Sequence, residues 1–268
     1  MKKFLTLTFT FVLALFISGC SQGASDEHTI VVGASVSPHA QILQAAAPAL
    51  KKAGYDLEIR EFSDYIQPNQ ALAAGELDAN FFQHKPYLDD YNAQNNTDIV
   101  SVASIHFEPL KMFAGKCKNL KDISQGALIA VPSDATNEAR ALLLLQDQGL
   151  LTLNKNAGLS ATVQDIEDNP YNLDIKEVEA AGLPRILPDC DLAVINGNYA
   201  LSSGLDVKDV LAQENKESAA AQTYANIIAV RGQDLQSEKT QALIEALQTS
   251  EVRDFITNNF SDQVIATF

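Results

Sequence analysis

Three stretches of the chain carry side chains able to hold a small polar molecule. In Asp78-Ala-Asn-Phe-Phe-Gln-His-Lys-Pro-Tyr87, Phe82 and His84 lie two apart, so on a strand they project from one face. Tyr87 follows Pro86, which ends the extended segment and can begin a helix. Two aromatic rings and an imidazole at a strand end make an apolar wall with a polar handle. A thioether suits such a wall, since each sulfur–aromatic contact contributes ~0.3–1.5 kcal/mol. The same pattern also accommodates Phe81 and Phe82 as core residues with His84 satisfied in a loop.

In Val131-Pro-Ser-Asp-Ala-Thr-Asn-Glu-Ala-Arg140 an apolar strand is broken by Pro132, and Ser133 or Asp134 can cap the helix that follows. Asn137 and Arg140, three apart, share a face near a helix N-terminus whose free N–H groups attract anions. A guanidinium there can grip a carboxylate with two parallel hydrogen bonds. The alternative is a surface arginine paired with Glu138 or another acid. Asn196 ends an apolar run and Asn226 opens one. Their amides offer both donor and acceptor, as an amino acid's two polar groups require, although asparagine is also a common turn residue.

Catalytic patterns are sparse. The histidines are His28, His39, His84 and His106, and neither a GxSxG elbow, a phosphate-binding loop nor a dinucleotide fingerprint occurs. Cys117 lies between Lys116 and Lys118, which can lower a thiol pKa, but nothing in the sequence sets a histidine base beside it. An exported hydrolase using Cys117 or His84 is therefore the rival class. No CxxC or HxxxH spacing suggests a metal site, and no cofactor is implied.

The elements that must position these residues alternate. Strand-like runs at 29–33, 57–62, 78–82, 126–131, 173–178, 192–195 and 226–230 are interleaved with helical patterns at 38–54, 69–75, 136–148, 237–250 and 251–258, and 100–114 reads as one extended run. This predicts an α/β fold with mostly parallel sheets flanked by helices. The pattern resets after about residue 108, consistent with two lobes.

Lys2 and Lys3 precede a short apolar run from Phe4 to Ile17, closed by Ile17-Ser18-Gly19-Cys20. A bilayer-spanning helix needs ~20 apolar residues, so the segment reads as a signal peptide over 1–19, with Cys20 in a lipobox-like setting and 20–27 as a lipidated tether. Of the 268 residues, 46% are hydrophobic, enough for a core, and the net charge of −15 argues against a nucleic-acid partner. Cys117 and Cys190 would remain, and in an oxidising compartment they could pair.

Taken in order, Ser63-Asp-Tyr-Ile-Gln-Pro-Asn69, the Asp78–Leu88 and Val131–Asn137 stretches, Leu142-Leu-Leu-Leu-Gln146, Asn169-Pro-Tyr-Asn-Leu173, Leu183-Pro-Arg185, Ala193-Val-Ile-Asn196 and Tyr224-Ala-Asn226 resemble the methionine-binding lipoproteins of the NlpA type. The resemblance covers nearly the whole chain after the leader. It implies a two-lobed, type II-like periplasmic-binding-protein fold with two crossovers. Lobe 1 would span 28–108, completed by about 226–268, and lobe 2 would span 109–225.

Carried over, Tyr65, Phe82, His84 and Tyr87 would line a side-chain pocket. Arg140 would hold a carboxylate with Asn137 beside it, and Asn196 and Asn226 would bind the remaining polar groups. The implied function is non-enzymatic capture of L-methionine for an ABC importer permease. The implied carrier is an exported monomer held to the membrane by its lipid anchor alone. A methionine-containing dipeptide or another amino acid is the alternative ligand.

Overall fold

The computed structural model describes residues 27–215 and 222–268. The signal peptide expected over 1–19, the lipidation site Cys20 and all of the expected tether except residue 27 lie outside the described residues. Among the described residues no helix is long and apolar enough to cross a membrane.

Along the chain run β1 (Thr29–Ser35), helix α1 (His39–Lys52), β2 (Asp56–Phe62), α2 (Gln67–Ala73), β3 (Ala79–His84), α3 (Lys85–Asn95) and β4 (Ile99–Phe107). Then follow β5 (Lys111–Ala114), β6 (Leu128–Pro132), α4 (Ala135–Asp147), a small hairpin of β7 (Thr152–Leu153) and β8 (Ile166–Asp168), and β9 (Asp174–Val178). Helix α5 (Leu183–Ile186), β10 (Leu192–Ile195), α6 (Gly197–Ser202) and β11 (Val210–Gln213) come next. The chain closes with β12 (Asn226–Arg231), α7 (Glu238–Leu247), α8 (Ser250–Phe260) and β13 (Ile265–Ala266).

Two sheets result. The first has the order β13-β4-β12-β3-β1-β2 and the second β11-β5-β10-β6-β9. The chain passes from the first sheet to the second between β4 and β5 and returns between β11 and β12, which gives the two crossovers. The run expected to be continuous over 100–114 is therefore divided between sheets at Glu108-Pro109-Leu110, where proline supplies no ladder donor.

The sheets are mixed rather than mostly parallel. β1 is parallel to β2 and β3, and β6 is parallel to β9 and β10. These are the strands joined by helical or long connections. β12 runs antiparallel to both β3 and β4, and β5 runs antiparallel to β10 and β11, because strands that carry the chain between sheets reverse direction without a covering helix.

The expected periodicities account for the packing. In α1, Ile42, Leu43, Ala46 and Leu50 face inward, and they join Ile30, Val32, Leu247, Val252 and Ile256 in one core. Fully burying one such side chain contributes ~1.5–3 kcal/mol, so this layer sets the position of β1 and its neighbours. The second sheet has its own core on the α4 side, with Ile129, Val131, Leu142, Leu145, Leu192 and Val194.

The pairing of Cys117 with Cys190 is corrected: both thiols are free. Cys190 belongs to the cluster with Phe113, Ala193 and Ile195, whereas Cys117 packs with the cluster containing Met112 and Val194. Consecutive residues of β5 and β10 face opposite sides of the sheet, so the two cysteines lie on different faces. Cys117 donates its S–H to the Asn119 carbonyl at 3.1 Å instead.

Candidate functional site

The ends of β3, β4 and β12 come together where the chain crosses between sheets. Asn226 at the start of β12 is in register with His84 on β3 and with His106 on β4. Opposite them stand the N-terminus of α4 and the loop from β10 into α6. Between lies a narrow cavity lined by all eight residues singled out in the sequence: Tyr65, Phe82, His84, Tyr87, Asn137, Arg140, Asn196 and Asn226.

One wall is aromatic. Tyr65, Phe82 and Tyr87 form a triangle with ring centroids 5.8–6.0 Å apart. Strand parity separates the two phenylalanines: Phe82 lines the cavity, while Phe81 points away into the core beside Val32 and Ile42. The Tyr87 hydroxyl donates to the Tyr65 carbonyl at 2.9 Å, and the Tyr65 hydroxyl donates to the Asn198 side-chain carbonyl. Tyr65 thus links the first sheet's side of the cavity to α6. Burial pushes both phenol pKa values up, so the hydroxyls remain neutral donors.

The polar wall is an ordered relay whose directions can be derived. The backbone N–H of Tyr87 donates to His84 Nδ1 at 3.2 Å, so the ring proton is on Nε2. Nε2 then donates to Asn137 Oδ1 at 3.1 Å. The Asn137 amide is turned this way because its Nδ2 donates at 2.8 Å to Asp134, the residue capping α4. Asn196 Nδ2 also donates to Asn137 Oδ1, at 2.8 Å. That uses the nitrogen of Asn196 and leaves its Oδ1 buried without a hydrogen-bond partner. At the far side His39 Nε2 donates to Asn226 Oδ1 at 2.9 Å, which leaves Nδ2 as the donor of this lining amide.

Both imidazoles are uncharged. Burial lowers the His39 pKa to about 4, and burial together with the Arg140 charge lowers that of His84 to about 3. The cavity therefore presents an unpaired acceptor at Asn196 and donors at Asn226 and Arg140.

Arg140 differs from expectation. Its Nε donates to Glu214 Oε1 at 2.6 Å and its NH2 donates to Glu214 Oε2 at 2.5 Å, so the bidentate edge is already occupied by an internal carboxylate. NH2 also donates to the Glu108 carbonyl at 2.9 Å, and the guanidinium lies 4.5 Å from the Tyr224 ring centroid. The partner is neither Glu138 nor a surface acid. Glu138 accepts from the Val163 N–H, and burial pushes its carboxyl up to about 7. With Nε and NH2 engaged, NH1 is the end of Arg140 left for a ligand.

Sequence reading did not find Glu108, whose carboxylate lines the cavity at the first crossover. His106 Nε2 donates to Glu108 Oε1 at 2.7 Å, and His39 Nε2 lies 3.6 Å from the same oxygen. His39, His106 and Glu108 thus bring potential metal ligands within 4.8 Å of one another, a grouping that linear spacing does not reveal. Both Nε2 atoms are committed as N–H donors, to Asn226 and to Glu108, so the cluster reads as a hydrogen-bonded support for the cavity. Glycine at 197 makes room for it: a Cβ there would lie 2.5 Å from Glu108 Oε2. Gly197→Ala is expected to destabilise the protein by about 1–3 kcal/mol. A urea midpoint unchanged from wild type would contradict that seating.

The NlpA lipoprotein family profile matches residues 30–268. The D-methionine-binding lipoprotein MetQ of Escherichia coli is 40% identical over 252 residues, covering 92% of each chain. A nutrient-binding protein from Burkholderia cenocepacia, solved bound to methionine, superimposes with a TM-score of 0.85 at 45% identity, covering 89% of this chain and all of that one. A lipoprotein from Ruminococcus gnavus superimposes with a TM-score of 0.89 at 50% identity over 90% of this chain and 100% of its own.

Proposed function

Because the chain belongs to the NlpA lipoprotein family, we propose that it captures L-methionine between its two lobes and delivers it to the permease of an ABC importer. It works from the outer side of the membrane, held there by a lipid on Cys20. The observation that carries this reading is the buried, unpartnered Oδ1 of Asn196 facing donors at Asn226 and Arg140. An acceptor opposite donors, all desolvated, matches a zwitterion: the ligand's ammonium donates to Asn196 and its carboxylate accepts from Asn226 Nδ2 and Arg140 NH1. The aromatic triangle of Tyr65, Phe82 and Tyr87 then receives the thioether.

Of the described residues, 28–108 with 226–268 form one lobe of the clamp, and 109–215 with 222–225 form the other. Contacts that span the cavity would form as the lobes close, among them His84 to Asn137 and Tyr65 to Asn198. No bond in the ligand is made or broken. Of the two residues of the rival reading, His84 lines the cavity and Cys117 does not, and no serine, threonine, cysteine or lysine stands among the lining residues beside His84.

The test is discrimination. Phe82→Ala should weaken methionine more than alanine, by a further factor of roughly five or more, since the lost contacts are made only by the longer side chain. Equal loss for the two ligands would exclude the aromatic wall as a thioether site.

A further inference from the structure

The ion pair behind the cavity has a consequence for which ligands can enter. Arg140 and Glu214 are 74 residues apart, and their side chains are 4% and 9% exposed. The pairing is bidentate, and the Leu110 N–H holds Glu214 Oε2 from behind at 2.8 Å. The carboxylate is thus fixed at the end of β11 against the start of β5. The remaining buried formal charges here, Glu108 and Lys111, are also one of each sign. Asp134, which accepts from Asn137, adds a further carboxylate, so no cation is left over for an anionic ligand.

From this arrangement we propose that Glu214 is the specificity-determining residue for ligand charge: by neutralising Arg140 it makes the cavity accept zwitterions and disfavour ligands of net negative charge. The proposal rests on the amino-acid reading of the site and extends it to a residue that does not line the cavity. Its physical basis is that a charge moved out of water is costly unless matched. A zwitterion adds no net charge to the cavity. A bare carboxylate adds one negative charge, and the one cation among the lining residues, Arg140, is already held by Glu214. Removing the Glu214 charge releases Arg140 to pair with such a ligand. Glu214 acts through Arg140 and is a positioning residue, because it turns the guanidinium so that only NH1 reaches the ligand.

The experiment measures dissociation constants of the wild-type protein and Glu214→Gln for three ligands of one shape. These are L-methionine, 4-(methylthio)butanoate, which lacks the ammonium, and 3-(methylthio)propylamine, which lacks the carboxylate. The wild type should bind methionine best. In Glu214→Gln the ratio of butanoate to methionine affinity should rise at least about tenfold, and the amine should lose further ground. A purely structural role would weaken all three ligands by the same factor, and that result, or no change at all, would overturn the proposal.

Should Glu214→Gln fail to fold, Glu214→Asp keeps the charge at shorter reach and should keep the wild-type order of the three ligands. Loss of that order in the aspartate variant would overturn it as well. Wild-type protein that binds none of the three would sink the amino-acid reading and this proposal with it. Wild-type protein that binds methionine while Glu214→Gln leaves charge preference untouched would sink this proposal alone.

Discussion

Arg140→Ala is expected to lose methionine binding by at least about a hundredfold and to unfold more easily than the wild type. Two effects combine. The ligand carboxylate loses the NH1 donor in a desolvated site, a loss on the order of 2–5 kcal/mol. Glu214 is then left as a nearly buried carboxylate without its bidentate partner, which typically costs ~3–5 kcal/mol of stability. The effects separate in the double variant Arg140→Ala/Glu214→Gln, which should recover much of the stability and none of the affinity. Calorimetry and urea denaturation on the single and double variants check both parts. Unchanged affinity in Arg140→Ala would remove the carboxylate anchor from the account.

The second large effect concerns acid. His84 is neutral in the folded protein because burial, and then the Arg140 charge, hold its pKa near 3, far below the usual 6.5. In the unfolded chain the same ring takes up a proton as pH falls through about 6.5. The unfolded chain therefore binds more protons than the folded protein over that window, and the stability linked to His84 is lost as pH falls from 6.5 toward 3. The loss amounts to about 1.4 kcal/mol per pH unit once the unfolded ring is charged, or roughly 3 kcal/mol by pH 4.

The buried carboxyls of Glu108, Asp134 and Glu138 are all raised by burial and contribute with the opposite sign. The difference between wild type and His84→Gln isolates the histidine. That difference, from urea midpoints at pH 7, 5.5 and 4.5, should shift steadily against the wild type on acidification. A difference independent of pH would show that His84 is not held neutral.

How much of this was legible in the sequence depends on the distance over which each residue acts. Phe82, His84 and Tyr87 were legible because two-residue periodicity and a proline at the strand–helix junction fix their directions locally. Asn137 and Arg140 were legible because a capping aspartate and a three-residue helical spacing do the same. The helices at 39–52 and 135–147 follow their apolar periodicity to within a residue or two.

The partners that complete the site act across the chain. Glu108 matters because the run from 100 to 114 breaks between sheets, and nothing in its alternation marks the break. Glu214 matters because β11 returns beside β5, more than seventy residues from Arg140. The Cys117–Cys190 pairing failed for a related reason, since two cysteines close along a sheet can still face opposite sides of it. The mixed character of the sheets came from the crossovers, which local periodicity does not encode.

Uptake of methionine by this cavity is tested by calorimetric titration of L-methionine into protein that has been unfolded, stripped of ligand and refolded. Saturable one-to-one binding in the micromolar range or tighter, weakened in Asn196→Leu, which removes the unpartnered acceptor, is the predicted result. Refolded protein that shows neither heat nor thermal stabilisation with methionine would contradict it.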